Sequence, residues 1–347
     1  TRRVSQGHGR GKSAGGRRRY SDECKEHLVK LWRMTGYMCS VRLKSAIPIW
    51  IGHYPIELKD DLRAELMGIS VSSIERFLKP AKAELRRKHN TGTRRGVRTL
   101  VTEVPIRDCS IDIEVPGHCE IDCVAHCGGS LTGLFAWTLN FTDICTGWTE
   151  CESLWGKTGN EVKKALERIE LRLPFSLTHL YFDNGCEFLN NEVVNQYAKN
   201  KERKKEVIVQ RGRPYKKNDQ CFIEQKNYTH VRLLFGYGRL DWRNAISMMN
   251  NVYRGYWRQV QNFYCPQQKL EMKQRHGSKI VRKMSAPQTP YQRLRPFLTE
   301  KKRHDLDSEL ASIDPILGIK RLRIAVRNIF GYFKNTMERA EWGKLVK

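Results

Sequence analysis

Three acidic residues in the chain have the types and settings that metal-dependent chemistry needs. Asp122 lies in the middle of an apolar run (CEIDCVA, 119–125), Asp183 directly follows another (LTHLYF, 177–182), and Glu224 lies in the first turns of a predicted helix. A carboxylate in an apolar strand is costly to bury unless it is paired or metal-bound, and three converging carboxylates cannot all ionise cheaply without a cation. The three acids therefore predict a site for Mg²⁺ or Mn²⁺, with two ions about 3.5–4 Å apart serving phosphoryl transfer.

Other interpretations of these acids, and other acids, remain open at this point. Asp183 could initiate the turn at Asn-Gly, and Glu224 could belong to a solvated helix face. Glu120, two residues before Asp122 on the same strand face, is a rival ligand, and Asp143 also ends a predicted strand. Two further acids are less central to the pattern: Asp112 and Glu187.

A group of side chains near residue 120 has the atoms that zinc binds: His118, Cys119, Cys123, His126 and Cys127. No Cys-x-x-Cys pair or second ligand pair stands at finger spacing, and two of the thiols lie in the predicted strand. The 11 cysteines of the chain are odd in number and about 3% of it, well below a disulfide scaffold. We therefore expect reduced thiols, most of them in the core.

The elements that must hold the acids follow a change of hydrophobic period near residue 111. Five segments have strand patterns: 119–125, 134–144, 147–155, 177–182 and 207–210. A capping box at Thr158 begins a helix, and further helices are expected at 219–235 and 241–263. Three meandering strands followed by strand–helix alternation predict an α/β domain with a mixed sheet over residues 110–265.

The regions on either side of this domain are basic. Residues 1–20 predict a disordered basic arm, and 21–100 predict an all-α region of tandem helix-turn-helix units. The solvent side of the second recognition helix would carry Ser72, Ser73, Arg76 and Lys79. A small helical bundle without a DNA role is the alternative. Residues 266–347 predict a basic, partly helical C-terminal region.

The charge balance indicates the kind of partner. The 347 residues include 63 Lys and Arg against 37 Asp and Glu, a formal charge of +26. Nucleic acid is the commonest partner for so large an excess. No apolar run is long enough for a transmembrane helix, and no basic amphipathic helix has a large apolar face. We expect DNA as the partner, no membrane, and a cytoplasmic, nucleoid-associated protein.

Four strings occur in order along the chain: PGHCEIDCVAHCGG, FTDICTGWTE, YFDNGCEF and RPYKKNDQCFIEQKN. They resemble the integrase-type DDE transposases of bacterial insertion sequences, which share the ribonuclease-H-like core of retroviral integrases. The resemblance covers about residues 117–270, including NFYCPQQKL, with weaker matches in the N-terminal helices and in SAPQTPYQRL. It implies a ribonuclease-H-like five-stranded sheet.

Carried over residue by residue, the resemblance assigns the catalytic and metal-binding triad to Asp122, Asp183 and Glu224. It also implies DNA contacts around the glutamate: Tyr215, Lys216, Lys217, Gln220 and Lys226. Forty residues separate Asp183 from Glu224, slightly more than the usual integrase spacing. The chain has no His-His-Cys-Cys module like that of retroviral integrases, and the N-terminal helices would replace it.

The activity that the resemblance implies is DNA transposition. The enzyme would cleave at the terminal inverted repeats of a mobile element, and the exposed 3′-hydroxyls would attack target DNA. Its partners would be DNA and further copies of the chain in a homo-oligomer, with no small-molecule substrate. Two alternatives remain open: a ribonuclease-H-fold nuclease that does not join DNA, and a domesticated, inactive DNA-binding regulator.

Overall fold

The structure is a computed structural model, and it describes residues 20–83, 104–107, 113–183, 188, 191–200, 206–213, 220–276 and 279–345. Most of the expected basic arm therefore lies outside the described residues. So does the basic stretch at 84–103 that joins the N-terminal helices to the sheet. Tyr20, the last residue of the arm, is buried.

The N-terminal region contains four helices: α1 (Asp22–Met34), α2 (Ser40–Trp50), α3 (Asp60–Gly68) and α4 (Val71–Ala83). The Ser21 hydroxyl caps α1 by accepting from the Cys24 amide (3.0 Å). Both α1 and α2 pack against α3 and α4, so the helices share one core instead of forming two separate units. Helix α2 contains Pro48 and continues to Trp50, whose buried ring packs against Tyr264 after the sheet.

The central sheet has five strands: β1 (His118–Ala125), β2 (Ala136–Asp143), β3 (Thr149–Trp155), β4 (His179–Phe182) and β5 (Ile208–Arg211). Their order is β3-β2-β1-β4-β5. The first three strands form an antiparallel meander, and β4 and β5 run parallel to β1 and to each other. The predicted α/β class and mixed five-stranded sheet are confirmed, and this order is compatible with a ribonuclease-H-like core.

Helices cover the sheet: α5 (Gly159–Glu170), α6 (Asn191–Val194), α7 (Cys221–Lys226), α8 (Leu233–Phe235) and α9 (Ala245–Val252). The Thr158 hydroxyl accepts from the Glu161 amide (3.4 Å), as the capping motif predicted. Several helices continue as π-helical turns, at 195–199, 227–232, 253–257 and 260–264. The single helix expected over 241–263 begins at Ala245 and is broken at Gly255, whose backbone is not helical.

The outer edge of the sheet, strand β3, is covered by side-chain amides. The Asn262 amide accepts from the Thr149 backbone N–H and donates to its carbonyl, both at 2.9 Å. Asn250 makes the same two contacts with Ser153, at 2.6 and 3.1 Å. Because an exposed edge strand presents unpaired backbone groups, these two amides supply part of the hydrogen bonding that a further strand would give.

Two glutamates of β3, Glu150 and Glu152, are buried at this edge. Each accepts hydrogen bonds from two or three guanidinium groups, which come from α5, from the turn after it and from the helical turns after α9: Arg168, Arg172, Arg254 and Arg258. Arg258 also pairs with Glu309 (2.7 Å), which lies in the C-terminal region. The network therefore joins the edge strand to helices from three parts of the chain.

The C-terminal region begins with an antiparallel hairpin, β6 (Leu270–His276) and β7 (Lys279–Met284). Its helices are α10 (Pro290–Leu294), α11 (Glu300–Ser312) and α12 (Pro315–Leu345). The sequence predicted a partly helical region here and did not predict the hairpin, whose exposed apolar residues alternate irregularly with basic ones. None of the helices in the described part of the chain combines the length and apolar character needed to cross a bilayer.

The N-terminal helices contact the sheet domain directly. The Trp50 indole N–H donates to the Tyr264 carbonyl (2.9 Å), and the Arg42 side chain donates to the Pro266 carbonyl (2.7 Å). Arg323 of α12 donates to the carbonyl of Arg33 at the end of α1. The helical region therefore contacts both the segment after the sheet and the C-terminal helix.

Candidate active site

Strand register places two of the three predicted acids side by side. In the parallel pair of β1 and β4, Ile121 lies opposite Phe182, so one further step brings Asp122 next to Asp183. Neighbouring strands are about 4.8 Å apart, and residues in register point to the same sheet face. Asp122 is half-buried and Asp183 is exposed.

Helix α7 brings the third acid to the same strand. The first turn of α7 is held on β1, because the Ile223 backbone N–H donates to Glu120 Oε2 (3.0 Å). One turn later, Asn227 Nδ2 donates to Asp122 Oδ2 (2.5 Å). Glu224 lies three residues before Asn227, a spacing that puts two side chains on one helix face, and it is exposed. The helix that carries Glu224 is therefore attached to Asp122.

Two neutral donors among the described residues orient the carboxylate of Asp122. Its Oδ1 accepts from the backbone N–H of Cys123 (2.7 Å), and its Oδ2 accepts from Asn227. The Asn227 amide is itself held, since its Oδ1 accepts from Asn140 Nδ2 (3.0 Å) on β2. Sequence reasoning missed both asparagines; the spacing of Asn227 from Glu224 was the available signal for one, while Asn140 gives none.

The rival acid Glu120 has a different role in the described structure. It is fully buried and pairs with Arg107 Nη1 (2.8 Å), whose guanidinium also lies over the Tyr181 ring (4.2 Å). Burial raises the pKa of Glu120, and the charge of Arg107 opposes that rise. Glu120 thus anchors two parts of the chain to β1: helix α7, and the segment 104–107 that carries Arg107.

Asp143 likewise serves a turn. Its Oδ1 accepts from the Gly117 amide (2.8 Å), and its Oδ2 accepts from the backbone and hydroxyl of Thr146 (2.7 and 2.6 Å). These bonds close the connection between β2 and β3, and burial raises the pKa of the Asp143 carboxyl. The other two acids that the sequence singled out, Asp112 and Glu187, lie outside the described residues.

The donor set of the triad suits Mg²⁺ or Mn²⁺, because both are hard cations that take carboxylate oxygens. Within the described residues, no three His, Cys, Asp or Glu side chains are grouped closely enough to hold one ion. The segments that flank Asp183 and Glu224, at 184–187 and 214–219, lie outside that part of the chain. The proximity of the acids is therefore defined by strand register and by the docking of α7.

The expectation for Lys226 is wrong in this structure. The sequence predicted a side chain that reaches along the rim of the site towards DNA. Instead Lys226 is buried, and its Nζ donates to the Gly147 carbonyl (2.7 Å) and to Thr149 Oγ1 (2.6 Å). Burial lowers the pKa of Lys226 to about 7, and the charge of Arg42 adds to this effect. The lysine anchors α7 to the turn before β3.

The other predicted DNA contacts near Glu224 divide into two groups. Gln220 directly precedes α7 and is buried. The sequence predicted a DNA contact here, which requires an exposed side chain, so the structure differs from this prediction. The remaining three lie outside the described residues: Tyr215, Lys216 and Lys217.

Helix α4 presents the residues predicted for DNA reading. Ser72, Arg76 and Lys79 are exposed, and Ser73 is half-buried. The Ser70 hydroxyl accepts from the Ser73 backbone N–H (3.2 Å), which satisfies a donor at the start of the helix. The buried face of α4 consists of Ile74 and Leu78. The expected helix and its exposed side are therefore present.

The His and Cys group near residue 120 lies along strand β1 and the two residues after it, and its side chains have separate partners. His118 stacks on His179 with ring centroids 3.9 Å apart, and its Nδ1 shares a hydrogen bond with the Tyr181 hydroxyl (2.8 Å). His126 is buried and shares a hydrogen bond with Thr138 (2.8 Å). Burial lowers the pKa of His118 to about 4, and the adjacent imidazole of His179 adds to this effect. Each of these imidazoles contributes to packing between strands.

Fold and site together define an α/β protein with a mixed five-stranded sheet. It carries an acidic pair on neighbouring parallel strands, with a helical N-terminal region packed against the sheet. No family model matches the chain. The chain is 36% identical over 283 residues to the uncharacterized protein y4rM of Sinorhizobium fredii (strain NBRC 101917 / NGR234), a match that covers 79% of this chain and 78% of that protein. The chain therefore belongs to the same family as y4rM.

Proposed function

We propose that this protein is a DNA transposase with a ribonuclease-H-like catalytic core. One observation carries the proposal: strand register sets Asp122 beside Asp183, and the helix of Glu224 is hydrogen-bonded to Asp122 through Asn227. The strand order of the sheet agrees with this fold. The resemblance of the four sequence strings to integrase-type transposases supplies the reaction.

The chain's own residues prepare the site for phosphoryl transfer. Asp122, Asp183 and Glu224 would hold two Mg²⁺ ions, which supply activation of the attacking oxygen and stabilisation of the leaving one. The Cys123 amide and Asn227 orient the first carboxylate. Catalysis by positioned groups depends on such preorganisation, because a misplaced ligand loses transition-state stabilisation.

The anchors of α7 fix the position of Glu224. At one end, Glu120 accepts from the Ile223 backbone and is paired with Arg107. At the other end, Lys226 donates to the turn before β3. Glu120, Arg107 and Lys226 are buried and hold the helix in place, so each would be a positioning residue.

The surfaces outside the sheet would bind DNA. Helices α3 and α4, joined by a short turn at Ile69, would form a helix-turn-helix, with the exposed side of α4 reading the ends of a mobile element. The hairpin of β6 and β7 carries exposed basic residues, such as Arg282 and Lys283, that would hold phosphates. The formal charge of +26 favours both contacts.

The experiment is a strand-transfer assay with Mg²⁺ on duplexes taken from the DNA that flanks the coding sequence. Asp122→Asn, Asp183→Asn and Glu224→Gln should each lower cleavage and joining at least about a hundredfold, since the amide cannot neutralise metal charge and several kcal/mol are lost. Binding to the same duplexes should persist. Glu192→Gln, an exposed acid of α6, is the matched control and should remain active.

The products of the wild-type protein separate the alternatives. Joined strands support the transposase. Cleavage without joining would leave a ribonuclease-H-fold nuclease, and binding without either reaction would leave a DNA-binding regulator. Full activity in any one triad variant would remove that residue from the site.

A further inference from the structure

The carboxylate of Asp122 determines how its neighbour must be oriented. An ionised carboxylate only accepts hydrogen bonds, so the group that Asn227 turns towards it must be the amide nitrogen. The structure has this arrangement, with Asn227 Nδ2 at 2.5 Å from Asp122 Oδ2. If the amide turned over, its oxygen would face the carboxylate and repel it.

A second amide decides which way Asn227 turns. Its Oδ1 accepts from Asn140 Nδ2 (3.0 Å), and Asn140 Oδ1 accepts from the Cys151 thiol (3.6 Å). Asn140 is fully buried on β2, directly opposite Asp122 in the antiparallel register with β1. The three hydrogen bonds run in one direction, from a thiol on β3 through two amides to the carboxylate, and each donor matches its acceptor.

The surroundings of Asn140 differ from those of the other buried asparagines of the domain. Asn250 and Asn262 each bond to the main chain of β3, a role that any fold could require at a sheet edge. Asn140 bonds to the side chains of Asn227 and Cys151. Through Asn227 it is connected to Asp122, a candidate metal ligand. Residues that hydrogen-bond to metal ligands, or orient groups that do, set metal affinity.

We propose that Asn140 is a positioning residue that orients Asn227 so that its amide donates to Asp122 and holds this carboxylate for metal binding. The proposal rests on the proposed function, because it takes Asp122 as a metal ligand. It adds a residue that does not touch metal or DNA and that lies on a different strand from the triad.

The test measures Mn²⁺ affinity of the purified full-length chain by electron paramagnetic resonance, with thermal melting in parallel. Asn140→Asp keeps the size but can only accept, so it should draw Asn227 Nδ2 away from Asp122. Asn140→Leu removes the donor without attracting the amide. We expect the affinity to fall in the order wild type, Asn140→Leu, Asn140→Asp, with a loss of about 10–100-fold for the aspartate.

Two further variants make the result specific. Asn250→Asp is the matched control, since it also places a carboxylate at a buried asparagine of the sheet domain, and it should leave Mn²⁺ affinity unchanged at temperatures where it is folded. Asp122→Asn should abolish the binding. If Asn140→Asp does not fold, the comparison of Asn140→Leu with wild type decides.

The outcomes distinguish the two proposals. Mn²⁺ binding that depends on Asp122 but is equal in wild type and both Asn140 variants would overturn the role of Asn140 and leave the proposed function intact. Binding that does not depend on Asp122, or no binding in the wild type, would overturn the metal site and this inference with it. Weakening by Asn250→Asp as large as by Asn140→Asp would show a general effect of a buried charge and would also overturn it.

Discussion

Two places on the same sheet carry carboxylates, and they differ in the partners that the fold provides. At the β3 edge, Glu150 and Glu152 are buried and pair with guanidinium groups from α5, from the turn after it and from the turns after α9. At the centre, the donors to Asp122 among the described residues are a backbone amide and Asn227, both neutral. A carboxylate in a strand is therefore not in itself a functional signal. Within the described residues, the two places differ in the charge of the donors that the carboxylates meet.

In the two edge glutamates, burial and the arginine partners have opposite effects on the pKa. Burial raises the pKa of Glu150 although Arg258 and Arg172 oppose it. Burial acts in the same direction on Glu152, but hydrogen bonds from Arg254 and Arg168 outweigh it and lower its pKa overall. Arginine suits this role because its planar, always charged fork bonds two carboxylate oxygens at once. In the edge network, arginine side chains thus neutralise two carboxylates that are buried in the sheet.

The largest effect that tests this comparison is on stability. Glu152→Gln should lower the free energy of unfolding by about 2 kcal/mol, because it weakens the charge-assisted hydrogen bonds that the buried carboxylate accepts from Arg168, Arg172 and Arg254. Asp122→Asn should change it by less than about 1 kcal/mol, since the donors to Asp122 in the described part of the chain are neutral. Urea unfolding at pH 7 measures both.

The pH dependence sharpens the same prediction. The folded-state pKa of Glu152 lies below its ordinary value, so its contribution is present above the unfolded pKa and is lost as the pH falls through the folded one. The stability gap between wild type and Glu152→Gln should therefore shrink below about pH 4. A loss for Asp122→Asn equal to that for Glu152→Gln would remove the distinction between edge and centre.

Lys226 extends the comparison to a buried cation. Its folded-state pKa is about 7, below the value of a lysine in the unfolded chain, so the native state binds fewer protons between those two values. Stability must then rise as the pH increases through this window. Compared with Lys226→Met, the wild type should gain at least about 1.4 kcal/mol of unfolding free energy between pH 6.5 and 9, the equivalent of one pKa unit.

Other groups also titrate in that range, but they are shared by both proteins and cancel in the difference. Lys30→Met, at an exposed pair with Glu26, is the control and should show no such gain. Parallel pH curves for wild type and Lys226→Met would mean that the ammonium is solvated, and would return Lys226 to the set of possible DNA contacts.

Much of the sheet follows from short-range patterns. Alternating and apolar runs with high strand propensity located all five strands, and their ends agree with the structure within a few residues. The same patterns put Asp122 inside β1 and Asp183 just after β4, so their proximity followed once the strands were taken as parallel neighbours. The cap at Thr158 was also predictable, because capping depends on residues three apart.

What sequence reasoning missed depends on contacts between distant segments. Lys226 is polar by type, and only the turn at Gly147, 79 residues away in the chain, makes it an internal anchor. The pairing of Glu152 with Arg254 spans 102 residues, and that of Asn140 with Asn227 spans 87. No local periodicity encodes such pairs. The π-helical turns were missed for a related reason, since packing of the helix sets them and not its propensities.

The smallest expected effect is on the salt dependence of DNA binding, and it concerns two exposed cationic side chains. Arg76 and Lys79 are exposed on α4, whereas the arginines of the β3 edge pair with the buried carboxylates of Glu150 and Glu152. If α4 contacts DNA, each of these two side chains should release about one counterion when it meets a phosphate. Arg76→Ala and Lys79→Ala should each reduce the slope of log affinity against log salt by about 1, with melting temperature nearly unchanged.

The control for this prediction must lose the same charge from the same region. Arg63→Ala removes an exposed arginine from α3, the neighbouring helix, and lowers the net charge of the chain by the same amount. A long-range effect of net charge would weaken binding equally in all three variants, because it does not depend on which residue is removed. A phosphate contact would change the slope for Arg76 and Lys79 and leave it for Arg63. Equal slopes in all three would therefore remove α4 as the DNA-contacting helix, and the excess positive charge alone would then account for the binding.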